Sequence, residues 1–365
     1  IIPDLFTYRN HQYWGENFEE PDGWNTKIYR AFTDQPEGKI GIPKVLLFWS
    51  KFPFWSSFFR HLGYDVVLSR DTDRSLIRQS SQNATSEICL PSKIAYGHIN
   101  DLLSFAESRR GLDYLFLPAM VSNDHDNTET RTNYNCPLVQ GLPYTANGQF
   151  DFKRSDYPVE LITQAFHFYS EKRLTAELRK LGNKLEKGHS EVKRAYKAAV
   201  EKEKTIKNSC LKKGKEVLKE LGPDRIGVAV MSRSYNGCDP GLNMEIPDKL
   251  RELGVVPIPI DCLPLEAINP DRLHPDMQWD WGKRILSAAI LIKNQPHLYG
   301  LYLSLFRCGP DSFIIRYAKE ILEEEPFLHL ELDEHSADAG IVTRCEAFLD
   351  SLRQRDKKLA RTGSR

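Results

Sequence analysis

Leu298-Tyr299-Gly300-Leu301-Tyr302-Leu303-Ser304-Leu305-Phe306, followed by Arg307-Cys308-Gly309-Pro310-Asp311, reads as a short buried strand that ends in a turn and opens a helix. Apolar residues occupy both alternating faces of the run, which suits a strand covered on each side, as in a parallel sheet flanked by helices. The same pattern surrounds it. Residues 226–232, 255–261 and 327–333 read as further strands, and 246–253, 279–293, 311–324 and 338–355 as helices. Toward the amino end, 45–49, 64–69 and 114–120 read as strands, with an amphipathic stretch at 52–61 and a helix at about 91–109. Strands alternating with helices imply an α/β fold.

Between these two series, residues 158–222 are rich in Lys, Glu, Ala and Leu and nearly free of Gly and Pro until Gly222-Pro223, which reads as a long helical connector. Its charged run at 184–219 reads as a solvated helical face. The expected organisation is an amino-terminal extension (1–42) packing on the first domain, a first sheet domain (43–157), the connector (158–222) and a second sheet domain with a carboxy-terminal helix (223–365). Two sheet domains would frame a cleft, with chemistry beyond the carboxyl ends of the strands.

The 365 residues suit about two domains. Lys+Arg 50 against Asp+Glu 50 gives no basic bias toward nucleic acid. No apolar stretch approaches the roughly 20 residues a bilayer demands, so a soluble, cytoplasmic protein without a membrane partner is expected. The chain begins Ile1-Ile2-Pro3 with neither an initiator Met nor a leader, leaving open whether it is a piece of a larger polypeptide. It carries no G-x-x-x-x-G-K-[ST] loop and no G-x-G-x-x-G after a strand, so by motif it binds no nucleotide of its own.

Chemistry is expected at the cysteines. Five of the seven are followed by proline one or two residues later: Cys89-Leu90-Pro91, Cys136-Pro137, Cys238-Asp239-Pro240, Cys262-Leu263-Pro264 and Cys308-Gly309-Pro310. Proline suits the first turn of a helix, so each cysteine is expected just before a helix N-terminus, where the helix dipole favours a thiolate. Thiolates gathered from separate loops select iron–sulfur clusters or zinc. Structural zinc sites usually pair cysteines two to four residues apart, and no C-x-x-C occurs here. Cys210, inside the charged helix, lacks the proline context and reads as structural, and Cys345 alone reads as core.

At these residues the chain resembles a known family. Gly41-Ile42-Pro43-Lys44-Val45, Pro53-Phe54-Trp55, Leu62-Gly63-Tyr64, Ser86-Glu87-Ile88-Cys89-Leu90-Pro91-Ser92-Lys93 with Gly97-His98, Asn133-Tyr134-Asn135-Cys136-Pro137, Cys308-Gly309-Pro310-Asp311-Ser312-Phe313 and Asp333-Glu334-His335 look like the domain fused to, or encoded near, CoA-substrate-specific enzyme activases. That domain is similar to 2-hydroxyacyl-CoA dehydratase subunits and double-cubane-cluster proteins. The resemblance runs from about residue 38 to 350.

It implies two Rossmann-like domains with a 4Fe-4S cubane held by the matching Cys89, Cys136 and Cys308, one iron being left open. Low-potential electrons would come from a separate ATP-hydrolysing activase-type reductase with its own iron–sulfur cluster. Cys238, Cys262 and Cys345 depart from the family pattern. Together with the first three they would supply six thiolates, enough for an 8Fe-9S double cubane. Single cubane, double cubane and a homodimer sharing clusters all stay open.

The expected function is an iron–sulfur reductase component that reduces a small molecule or CoA thioester at an open iron. A non-catalytic electron relay or cluster carrier and a dehydratase subunit are the alternatives. His98 is a candidate proton donor and His335 a candidate proton relay. Arg233 is a candidate anion binder and Lys93 a candidate counter-charge.

Overall fold

In a computed structural model of the chain, residues 2–84, 87–124, 132–152 and 157–362 are described. They form an α/β structure in two compact units.

The first unit comprises Asn10–Ser209 with Gln278–Asp280. In chain order the elements to this point are α1 (Leu5–Trp14), β1 (Lys27–Tyr29), β2 (Gly38–Ile42), α2 (Phe48–His61), β3 (Tyr64–Leu68), α3 (Arg74–Asn83), α4 (Leu90–Glu107), β4 (Tyr114–Phe116), β5 (Ala119–Ser122), α5 (Pro137–Gln140), α6 (Leu142–Phe150), β6 (Glu160–Ile162), β7 (Ala165–His167), α7 (Glu171–Lys184) and α8 (His189–Lys219). A five-stranded sheet runs β1-β3-β2-β4-β6, parallel except for the antiparallel β1 edge, and β5 pairs with β7 in a separate parallel ribbon. Helix α2 is anchored on β4 by aromatic contacts, with Trp55 and Phe59 at 4.7 and 4.9 Å from the Phe116 ring.

Two expectations are corrected here. Residues 1–42 are more than an extension, because β1 and β2 are strands of the sheet. The strand expected at 45–49 lies instead at Gly38–Ile42; Val45–Leu47 form a buried turn leading into α2, whose first residues are Phe48 and Trp49. The cause lies in the glycines of β2. A Cβ at Gly41 would come within 2.7 Å of Leu112, and one at Gly38 within 2.8 Å of the Asp113 carboxylate. Bare backbone is what lets the segment before β4 lie so close, and it also removes the apolar signal by which a strand is recognised.

The second unit comprises the segment ending at Arg9, Cys210–Met277 and the chain from Trp281. Its elements are β8 (Gly227–Met231), α9 (Ser234–Cys238), α10 (Pro240–Asn243), α11 (Ile246–Glu252), β9 (Val256–Pro259), α12 (Asp280–Asn294), β10 (Leu298–Leu305), α13 (Gly309–Leu322), β11 (Phe327–Leu332) and α14 (Asp338–Thr362). Its sheet is parallel throughout, in the order β11-β10-β8-β9. Every residue of β8, β9 and β10 is buried, as expected of strands covered on both faces. The chain leaves β8 toward β9 on one side and returns to β10 on the other. The carboxyl ends of β8 and β10 therefore flank a topological switch point, where open α/β sheets receive ligands.

The charged stretch at 184–219, expected as a solvated face, is essentially α8. Helix α8 buries a stripe through Val192, Ala195, Ala199, Ile206, Cys210 and Val217, at helical spacing. Among the described residues, no helix is long and apolar enough to cross a membrane.

Candidate metal-binding cysteines

None of the seven cysteines is in a disulfide, and they fall into two groups: Cys89, Cys136 and Cys308 are half-buried, whereas Cys210, Cys238, Cys262 and Cys345 are buried.

The half-buried three share one local structure. Cys89 is the N-cap of α4 (φ −63, ψ 148), Cys136 of α5 (φ −54, ψ 141) and Cys308 of α13 (φ −80, ψ 101). Pro91, Pro137 and Pro310 stand in the first turns, where a missing N–H costs nothing. At Cys136 the following proline also disfavours helical backbone, so the residue is held extended. None of the three side chains caps its own helix. Ser, Asp or Asn would normally occupy this position and bond the first-turn amides, so a weakly accepting sulfur here gives up a cap.

In the first unit, the Cys136 loop is fixed by a buried amide network. Asn123 Nδ2 donates to Asn135 Oδ1 (3.1 Å) and to Asp280 Oδ2 (2.7 Å), and Asn135 Nδ2 donates to the Met120 carbonyl (3.1 Å). Asn133 Nδ2 donates to the Asp124 carbonyl (2.7 Å), and Gln140 Nε2 reaches the Asn135 carbonyl (2.6 Å). The asparagines of the Asn133-Tyr134-Asn135-Cys136 motif thus hold the loop. Near Cys89, whose sulfur lies 3.3 Å from the Ser92 hydroxyl, Lys93 is buried and paired with Glu87 at 3.1 Å.

In the second unit, Cys308 and Arg233 stand at the switch point, following β10 and β8. The Arg233 guanidinium is buried and does not await an anion, since its Nη1 lies 2.6 Å from both carboxylate oxygens of Asp311. The Tyr302 hydroxyl donates to Asp311 Oδ1 at 3.0 Å. Asp311 sits in the first turn of α13, where a carboxylate also complements the helix dipole. Arg307, just before Cys308, is held in the left-handed region at φ +66. Burial pushes the Cys308 thiol up to about 12, with Arg233 opposing. The lowering expected from the helix N-terminus is thus outweighed by desolvation. A thiol kept protonated in this way loses its proton when a metal cation supplies the missing charge.

The proline context of the other two cysteines has a different outcome. Cys238 is the last residue of α9, and the cap before Pro240 is Asp239, whose carboxylate accepts from the Gly241 amide. Cys262 ends a 3-10 turn, Ile260–Cys262. Cys345 lies within α14, its thiol raised to about 11 by burial, with Arg344 and Lys249 opposing and Glu346 adding. Cys210, read from the sequence as structural, is buried, and its thiol and that of Cys262 shift each other's titration. The i,i+4 spacing from Ile206 on the apolar stripe was its sequence signal; Arg9, paired with Asp261 beside it, had none.

His98 is wholly buried, its Nδ1 at 2.8 Å from the Ser69 hydroxyl and its Nε2 at 3.1 Å from that of Thr72. Burial, reinforced by Lys44 and Arg70, lowers it to about 3. It is a core histidine with both nitrogens engaged and cannot donate a proton to a ligand near neutrality. His335 is exposed in the turn after β11, its backbone N–H donating to Asp333 Oδ1 at 2.9 Å, so Asp333 shapes the turn. Among the described residues, no three His, Cys, Asp or Glu side chains form a ready-made metal cage.

A family model described as the CoA enzyme activase uncharacterised domain matches residues 39–263, more than half of the chain. The match takes in Cys89, Cys136, Cys210, Cys238 and Cys262 and stops short of Cys308 and Cys345. No curated protein gives a significant match. Among solved structures, a glucosamine-6-phosphate deaminase from Thermotoga maritima is similar at 12% identity over 89% of this chain and 87% of that one. Its TM-score of 0.20 carries no argument about fold or chemistry.

Proposed function

From the premise that this chain belongs to the family of the CoA enzyme activase uncharacterised domain, we propose that it is the iron–sulfur component of a low-potential reductase system, with Cys89, Cys136 and Cys308 as cluster ligands. The observation that carries the reading is the division among the cysteines: these three are half-buried, uncapped N-cap residues on proline-started helices, and the other four are buried. Such a donor set fits the group, because three soft thiolates on rigid loops suit iron and sulfide. When bound, a 4Fe-4S cluster with three protein thiolates supplies one-electron chemistry and an iron open to an outside ligand.

The chain's own residues prepare for it. The asparagine network fixes Cys136, and Arg233 and Asp311 fix the turn before α13, where Arg233 works against the burial that raises the Cys308 thiol. In this reading a separate ATP-hydrolysing reductase delivers the electrons, and a small molecule or CoA thioester receives them. The four buried cysteines are left out of the ligand set, which favours a single cubane over a double one.

Anaerobic reconstitution with iron and sulfide tests this directly. About four irons per chain are expected, with loss of most of them in Cys89→Ala, Cys136→Ala and Cys308→Ala. Zinc in place of iron, or full iron in any of the three variants, would overturn the assignment of that site.

A further inference from the structure

Cys210 and Cys262 are brought together from distant parts of the second unit, Cys210 on α8 and Cys262 at the end of the 3-10 turn after β9. Both are wholly buried, and each thiol shifts the titration of the other. Gly214, one helical turn beyond Cys210 on the same face of α8, is what permits the approach. A Cβ at that position would stand 1.7 Å from the Cys262 carbonyl oxygen and 3.0 Å from its Cβ. No side chain separates helix from turn there, so the face of α8 that carries Cys210 lies against the Cys262 turn.

The surroundings are charged. Arg9 is buried, with its Nε and Nη2 each 2.8 Å from Asp261 Oδ2, next in sequence to Cys262. Cys262 lowers the Cys210 thiol against the opposing effect of burial, and the Arg9 cation adds to the lowering. Cys238, also in this neighbourhood, is pushed up to about 12, chiefly by burial. Cys210 is thus the group best placed to become a thiolate, and Cys262 the thiol that acts on it.

We propose that Cys210 and Cys262 are a reversible dithiol–disulfide pair, oxidised by small oxidants of the peroxide class. The Cys210 thiolate attacks one peroxide oxygen, the O–O bond breaks, and after proton uptake Cys210 carries a sulfenic acid while one water leaves. The Cys262 sulfur then displaces the hydroxyl from Cys210, an S–S bond forms, and the Cys262 proton departs with the hydroxyl as a second water. Two thiols lose two electrons in all, and one peroxide gains them. Burial selects for an oxidant small enough to enter during local opening. The pair does not depend on the iron–sulfur reading, since neither residue is in the proposed ligand set.

The full chain, treated with hydrogen peroxide, blocked with N-ethylmaleimide in denaturant and mapped without reduction, tests the proposal. A peptide linking Cys210 to Cys262 is expected, reversed by dithiothreitol and retained in Cys238→Ser. The oxidised chain is also expected to melt several degrees higher than the reduced one, because the cross-link restricts the unfolded chain. Alkylation of both residues after peroxide treatment would overturn the proposal, as would a dominant link to Cys238 or Cys210 over-oxidised without any linked peptide.

Discussion

Arg233 grips Asp311 through one nitrogen at 2.6 Å from each carboxylate oxygen, and the pair lies buried where the chain turns from β10 into α13. Removing one partner strands the other charge out of water. Asp311→Ala or Arg233→Ala is therefore expected to cost about 3–5 kcal/mol in denaturant unfolding. Replacing both with apolar residues of similar volume should cost clearly less than either single change. A double variant as unstable as the sum of the singles would show that the two residues act independently.

His98 gives the chain a pH-sensitive term. Its folded-state value is depressed to about 3 from an ordinary 6.5, so the unfolded chain binds the proton more readily. The contribution is complete above about pH 6.5 and is lost progressively as pH falls toward 3, on the order of a few kcal/mol in all. Unfolding free energy measured at pH 7.5 and 5 should fall in the native chain and fall less in His98→Gln. Equal slopes for the two would exclude His98 as the source.

Gly214 sets two effects against each other. Alanine is the better helix former by about 1 kcal/mol, which would stabilise α8. The added methyl would lie 1.7 Å from a backbone oxygen, which cannot swing aside. Overpacking is expected to win, with Gly214→Ala destabilising by about 1–3 kcal/mol. A raised melting temperature would contradict the close approach of α8 to the Cys262 turn.

Cys345→Ala provides the contrast for the ligand assignment. It should leave the iron content of reconstituted protein unchanged while lowering stability by about 1 kcal/mol, as expected for trimming a buried side chain. Loss of iron in this variant, or about eight irons in the native chain, would restore the six-cysteine double cluster.

The parallel strands of the second unit were legible because they are short apolar runs buried on both faces, and β8, β9, β10 and β11 fall within about two residues of their expected places. In the first unit β2 was hidden, since Gly38 and Gly41 serve the neighbouring backbone and leave no apolar pattern. The short β6 and β7 went unseen for lack of length. The Cys-Pro signature marked Cys89, Cys136 and Cys308 as helix starts. It misled at Cys238, where Asp239 takes the cap, and at Cys262, which closes a 3-10 turn. Tertiary partners such as Arg9 with Asp261, 252 residues apart, leave no local trace.

The Asn123–Asp280 bond also sets a timetable for biogenesis. It joins residues 157 positions apart, so the loop presenting Cys136 stays unfinished until Asp280 has been synthesised. At about 5–20 residues per second the ribosome takes about 8–30 s to cover that interval. Once Cys136 has been added, it and Cys89 are both in the nascent chain while one of the anchors of the Cys136 loop is still missing. If the proposed cluster is assembled here, delivery of inorganic sulfide and iron is best timed after Asp280 has emerged, and a truncated translation product ending before it would carry the early cysteines without a finished scaffold.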